Sequence, residues 1–274
     1  MQLLIGFSAS LIISLIAWRS KALSISGALA AAMVGGLIFG LGGLPWAVLL
    51  LVFFLSSSLL SRAFPKVKSY ASRKYAKDSR RDWAQVLANG GLGTLLVICY
   101  TLFPTQKWLW VAYCGALAAV NADTWSTELG VLSSKPPRLI NSGKIVEAGT
   151  SGGISLTGSL AALAGSFLIA GFGVFLNPSQ NPATAPVLFV FIITLAGFLG
   201  SFIDSLLGAT LQAIYFCPSC SKETEHHPKP LCGTQTTLLR GWRWLNNDLV
   251  NFLCALSGAL ITLLGMYFIP RFSL

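Results

Sequence analysis

The sequence predicts an all-α, polytopic membrane protein of about eight transmembrane helices, with both termini outside. Three observations predict it. First, 54% of the 274 residues are hydrophobic and 10% are charged, with mean hydropathy +0.70. A soluble domain carries about 25% charged residues, so this chain has too few to cover a water-facing surface. Second, eight stretches approach the roughly 20 apolar residues that a helix needs to cross a bilayer. Third, the basic residues segregate. With the N-terminus outside and the spans alternating, seventeen of the 19 Lys and Arg fall on one side. Lys and Arg collect in cytoplasmic loops, so the net charge of +10 reads as topology, and no nucleic-acid partner is expected.

The first span, 2–18, is apolar and followed by Arg19 and Lys21, which fits a span held on its cytoplasmic side rather than a cleaved leader. The second and third, 22–43 and 45–64, are separated by a tight turn, and the third ends in Ser56-Ser-Ser58 and Arg62. The loop 65–83 is basic and short of apolar residues. It reads as a solvated cytoplasmic face, or one lying against anionic lipid head groups. The fourth span, 84–103, opens beside Asp82 and Trp83 and carries Asn89. The fifth, 108–131, ends in Asn121-Ala-Asp-Thr-Trp-Ser-Thr-Glu-Leu-Gly130. A short connection, 132–149, leads to the sixth, 150–176, which begins with Gly149-Thr-Ser-Gly-Gly153. The seventh, 185–207, runs into Gly200-Ser-Phe-Ile-Asp-Ser-Leu-Leu-Gly-Ala-Thr-Leu-Gln212. A Cys/His-containing loop, 216–245, precedes the eighth, 247–269, which opens with Asn246-Asn-Asp-Leu-Val-Asn251. The whole of 1–274 reads as one integral membrane domain. The recurring Ser26-Gly-Ala-Leu, Cys114-Gly-Ala-Leu and Ser257-Gly-Ala-Leu stretches read as helix-packing surfaces, with internal duplication as the alternative.

The chemistry is read from what should not be in a membrane. Asp123 and Glu128 are two of nine acidic residues, and both sit in an apolar span, where a carboxylate costs a few kcal/mol or more. Such groups mark function by default. On a helix, Asn121, Thr124 and Glu128 share one face by i, i+3, i+7 spacing, while Asp123 and Thr127 share the adjoining one. Asp204 lies in the seventh span with Ser205 close by. In the stated topology these residues, Arg62, Asn247, Asp248 and Asn251 all lie at one level, the cytoplasmic side. Each singly also reads as a cap or a helix end; Asn247 or Asp248 would serve as an N-cap. Gly149, Thr150, Ser151, Gly152 and Gly153, at a helix start, suit phosphate, since glycine admits close approach and a helix N-terminus offers free N–H groups. Plain turns use glycine too. Carboxylates beside such a loop point to Mg²⁺ holding a polyphosphate. No P-loop or protein-kinase motif is present, and His226 and His227 are the only histidines, both in a loop.

The blocks 121–130, 149–155 and 200–212, with Phe53-Phe-Leu-Ser-Ser-Ser58 and 246–251, resemble the phytyl-phosphate kinase family, whose animal relatives are described as transmembrane protein 19. The resemblance runs over most of 20–265 and is nearest to the bacterial or cyanobacterial branch. It implies transfer of a nucleotide γ-phosphate, from CTP or another NTP, to a prenyl monophosphate such as phytyl phosphate, in tocopherol or isoprenoid metabolism. The implied partners are the prenyl phosphate, the nucleoside triphosphate and membrane lipids. The implied setting is a bacterial inner membrane or a thylakoid membrane, with the site facing the cytoplasm. On this reading Asp123, Glu128 and Asp204 hold Mg²⁺, Gly149 to Gly153 cradle phosphate, and Arg62 or Lys144 neutralises charge. Two rivals stand beside it: a transporter relaying protons or cations through the same carboxylates, and a CTP-dependent lipid nucleotidyltransferase. Separately, Cys217-Pro-Ser-Cys220 with His226, His227 and Cys232 offers ligands for a structural Zn²⁺. The alternative is free thiols in a loop, because the spacing matches no standard finger.

Overall fold

Among the described residues, eight long helices account for the fold, as the hydropathy predicts. The computed structural model describes residues 1–63, 80–178, 186–219, 221–225, 227 and 233–268. The helices are α1 (Gln2–Arg19), α2 (Ile25–Leu37), α3 (Leu44–Arg62), α4 (Trp83–Leu102), α5 (Trp108–Gly130), α6 (Leu156–Phe175), α7 (Pro186–Thr210) and α8 (Asn247–Tyr267). A π-turn, Ile38–Gly42, extends α2, and Gly43 then adopts φ +81° to reverse the chain. Seven of these helices are long and apolar enough to cross a membrane. The remaining one, α5, is the axis of the molecule. Fourteen consecutive residues, Leu109 to Ala122, are buried. It packs against α3, α4, α6, α7 and α8. A helix buried on all sides meets no lipid, so it tolerates polar residues that an outer helix would not.

Small residues set how closely the helices approach α5. A Cβ on Gly258 of α8 would stand 2.4 Å from the Gly115 carbonyl oxygen, and one on Gly200 of α7 would stand 2.7 Å from Ala119 Cβ. Two of the recurring Gly-Ala stretches thus pack on each other, as small residues do in lipid, where no hydrophobic force drives helices together. The third, at Gly27, lets the Arg81 backbone cross α2.

Side-chain and backbone hydrogen bonds gather the segments expected on the cytoplasmic side at one end of the bundle. Arg62 at the end of α3 reaches Ser20 after α1. Ser24 before α2 pairs with Arg81 before α4. Ser61 of α3 meets Glu128 of α5. Ser151 meets Gln212 after α7. At the opposite end Trp46, Tyr100, Trp110 and Tyr113 form an aromatic cluster with ring centroids 4.7–5.8 Å apart.

Four boundaries differ from expectation. Helix α6 starts at Leu156, not at 150. Residues 149–153 form a loop whose last residue enters a two-stranded ladder, β1 (Arg138–Leu139) with β2 (Gly153–Ile154), and Ser155 caps the helix. The N-cap of α8 is Asn246, which accepts from Leu249 N; Asn247 and Asp248 occupy the first turn instead. Asp82 is spent on α4, in a reciprocal capping box with Gln85. The segment 216–245 carries most of a three-stranded sheet, ordered β4 (Lys222–Thr224), β3 (Ile214–Cys217), β5 (Thr237–Arg240). Short strands read poorly in a sequence dominated by 20-residue apolar runs.

Candidate active site

The expected face geometry of α5 is realised. Asn121 and Glu128 point to α3, where Ser56 of the Ser-rich tract and Ser61 beyond it meet them. Ser56 Oγ donates to Asn121 Oδ1 at 3.1 Å, and Ser61 Oγ donates to Glu128 Oε1. Asn121 also donates to Gly165 O of α6 at 2.8 Å and is wholly buried. Its side chain ties α3, α5 and α6 together. Thr124 lies between the two and donates to Val120 O of its own helix.

Asp123 faces the other way. Five residues separate it from Glu128, which is a rotation of roughly 140° and a rise of about 7.5 Å along an α-helix. Among the described residues, the charged groups close enough to act on Asp204 on α7 are Asp123 and Glu225. Cys254 on α8 stands in the fields of both Asp204 and Asp123. Asn247 and Asn251 precede Cys254 by seven and three residues, so all three share one stripe of α8. Asp204 Oδ2 is buried and accepts no hydrogen bond among the described residues. A buried carboxylate oxygen without a donor is costly and calls for a partner.

The three expected magnesium carboxylates therefore divide in two. Among the described residues no group of three or more His, Cys, Asp or Glu is placed to hold one metal ion. Asp123 and Asp204 form one pair, with Glu225 beside it. Glu128 belongs to a second cluster with Ser61 and Arg81. Arg81 sits just before α4, where burial lowers its guanidinium to about 10 while Glu128 opposes that shift, so it stays charged at neutral pH. Its guanidinium lies 5.8 Å from the ring centroids of both Phe53 and Phe54 and donates to Ser58 Oγ at 3.4 Å. Arg81 is a cation that the sequence hides at the end of a basic loop, where nothing distinguishes it from the other loop charges. Arg62, expected to neutralise phosphate, donates to Ser20 O at 2.6 Å and Ser20 Oγ at 2.8 Å and so caps α1; Lys144 is exposed.

The glycine loop lies against the end of α7. Gly149 and Gly152 take φ +83° and +80°, the left-handed region that favours glycine. Gly152 packs so tightly on α7 that a Cβ would fall 2.4 Å from Ala209 Cβ. Thr150 N bonds Glu147 O and Gly153 N bonds Thr150 O, so two of its amides are occupied within the loop. Ser151 Oγ donates to Gln212 Oε1 at 3.1 Å, and Gln212 Nε2 donates to Glu225 Oε1 at 2.7 Å. Arg240 Nη1 donates to Gly208 O at 2.9 Å. One chain of contacts thus links the glycine loop, the end of α7 and the small sheet to the Asp204 pair. Glu225 is likewise hidden; its rarity as an acid beside the Cys/His loop is the available signal. Ser205 is half-buried on α7, one residue from Asp204. Of the zinc residues, Cys217 is buried and His227 stacks on Tyr215 at 4.3 Å, while Cys220, His226 and Cys232 lie outside the described residues.

A family model described as integral membrane protein DUF92 matches residues 8–259. Protein PGR of Arabidopsis thaliana is 37% identical over 284 residues, covering 95% of this chain and 96% of that protein. An uncharacterized membrane protein of Methanocaldococcus jannaschii is 33% identical, over 73% of this chain and 79% of its own length. Protein VTE6, chloroplastic, also of Arabidopsis thaliana, is 26% identical over 90% of this chain and 66% of its own length. No solved structure matches.

Proposed function

We propose, from the premise that this chain belongs to the integral membrane family DUF92, that it is a phosphotransferase converting a prenyl monophosphate such as phytyl phosphate to its diphosphate with a nucleoside triphosphate, CTP foremost. The relatives support the family resemblance carried by the blocks 121–130, 149–155 and 200–212. The observation that carries the chemistry is the Asp123–Asp204 pair with its orphaned buried oxygen, one helix face away from Glu128 and Arg81. Two carboxylates and one unmet oxygen are what Mg²⁺ asks of a protein when phosphates supply its other ligands. Asp123 and Asp204 would hold that ion, which would neutralise charge on the polyphosphate.

The acceptor is already an anion, so no base is needed. An acceptor phosphate oxygen bonds the γ-phosphorus, the bond from that phosphorus to the β,γ-bridging oxygen breaks, and the nucleoside diphosphate leaves with the electron pair. The protein's part is positioning and charge stabilisation. Gly149 to Gly153 with Ser151 would orient the nucleotide, and Asn247, Asp248 and Asn251 would border it on α8. The membrane would be a bacterial inner membrane or a thylakoid, with this end facing the cytoplasm. A transport path needs polar groups near the midplane and toward both sides; here the tied polar groups lie at one end and an aromatic cluster closes the other. The test incubates the purified full-length protein with prenyl monophosphates of several lengths and each of four NTPs, and weighs the products. Addition of one phosphate supports the kinase. Addition of a nucleotide moves the assignment to nucleotidyl transfer. Turnover with none of the pairs removes the reading.

A further inference from the structure

An apolar cavity of about 140 Å³ runs between α1, α2, α3 and α4, outside the carboxylate site. Ile13, Val34, Phe39, Val48 and Leu51 are among its walls. On α3 it extends from Leu44 to Phe54, which is about 15 Å of helix at 1.5 Å per residue. Three polar residues of the α4 start line it, Arg81, Gln85 and Asn89. They meet Ala17 and Leu23, at the end of the bundle that holds the polar site. Arg81 has five N–H donors, and among the described residues its guanidinium makes one long hydrogen bond, to Ser58. The rest of its support is two phenyl faces and the field of the Glu128 carboxylate. A guanidinium held on rings, with most of its donors unspent among the described residues, matches the geometry of a phosphate.

Ser58 and Ser61 stand three residues apart on one face of α3. The first receives Arg81 and the second donates to Glu128. A phosphate on Arg81 would therefore sit beside the α5 site while the chain attached next to it lay in the cavity. We infer that this cavity seats the phosphate-proximal isoprene units of a long-chain isoprenyl monophosphate drawn from the bilayer, the rest of the tail staying in lipid, with Arg81 seizing its phosphate; the inference rests on the kinase reading for the identity of the lipid. The charge complementarity selects the occupant. A neutral tail needs no cation at the cavity's end, and a free phosphate needs no hydrocarbon cavity.

The experiment is photolabelling of the full-length protein in phosphatidylcholine nanodiscs, without nucleotide, so its outcome is independent of turnover. The probe is geranylgeranyl monophosphate with a diazirine on its second isoprene unit, and mass spectrometry maps the adducts. Adducts are expected on cavity residues of α1, α2 and α3. Ala31→Trp and Val48→Trp, which fill the cavity from different helices, should each abolish them, and either variant that elutes as a folded species suffices. Arg81→Gln should weaken affinity roughly 10- to 100-fold, the worth of a charged hydrogen-bonded pair, and Arg81→Lys less. The matching diazirine alcohol should bind weakly and ignore Arg81→Gln. Adducts only on lipid-facing positions, or binding unchanged in Arg81→Gln, would overturn the inference. Equal displacement by phosphatidic acid would also overturn it, because the cavity would then hold a general phospholipid. If labelling succeeds and no NTP supports turnover, the kinase reading fails and the cavity assignment stands for the lipid phosphate alone.

Discussion

At the scale of single residues, charge and packing are separable. Asp123→Asn and Asp204→Asn keep volume and hydrogen-bonding atoms but remove the charge that the proposed ion needs. Each should fold normally and lose on the order of 10²–10⁴-fold in rate, with the double variant far from additive because both serve one site. Parallel measurement of melting temperature and turnover checks this; a folded, fully active Asp123→Asn would end the assignment. Asn121→Leu should show the opposite pattern. It breaks two helix-to-helix hydrogen bonds, one buried and one half-buried, and orphans the Gly165 carbonyl, for a loss of about 1–3 kcal/mol in stability from that unmet buried group. Thermal unfolding in detergent reads it directly. The spacing within α5 made both roles partly legible, since i, i+3, i+7 separated the Asn121–Glu128 face from Asp123. Arg81 and Glu225 were not legible, because their meaning comes from Glu128, Phe53 and Asp204, which are distant in sequence.

Between helices, the controlling quantity is backbone separation. Gly258→Leu or Gly115→Val would insert a side chain where α5 and α8 leave no room for one methyl group. Displacement of α8 would carry Cys254 away from the aspartates. Such variants should lower both stability and activity together, with overpacking worth about 1–3 kcal/mol or more. Gly171→Ala on α6 faces open space and should be silent in the same melting and turnover assays. The Gly-Ala stretches announced this packing from sequence alone. The start of α6 did not: Gly149-Thr-Ser-Gly-Gly153 looks like the opening of a span, yet two left-handed glycines turn it into a loop that ends at the Ser155 cap. Hydropathy averages over about 20 residues and is blind to a five-residue turn at the edge of its window.

For the molecule as a whole, the number of helices and the segregation of Lys and Arg were readable because lipid imposes length and the inside bias imposes charge. The convergence of 20–24, 61–62, 81, 128, 151 and 212 at one end agrees with that reading. The prediction that remains is sidedness. Single cysteines placed in 132–149 and in 233–243, in a background free of native cysteines, should resist an impermeant reagent added outside and react once the membrane is opened. Reaction of the two from opposite faces would break the topology. What sequence could not convey at this scale is that one of the eight helices stands inside the others.

That burial of α5 bears on how the chain is made. A nascent helix leaves the translocon when lipid is a better solvent for it than the channel, and α5 carries Asn121, Asp123 and Glu128 into that choice. Three of the helices that cover it, α6, α7 and α8, are synthesised afterwards. Until they arrive, its polar half has only α3 and α4 for company. The ribosome therefore delivers this polar helix before its shelter exists. Chains stalled or truncated after residue 135 would expose those groups to hydrocarbon and become targets for membrane proteolysis, whereas chains that complete α8 would not.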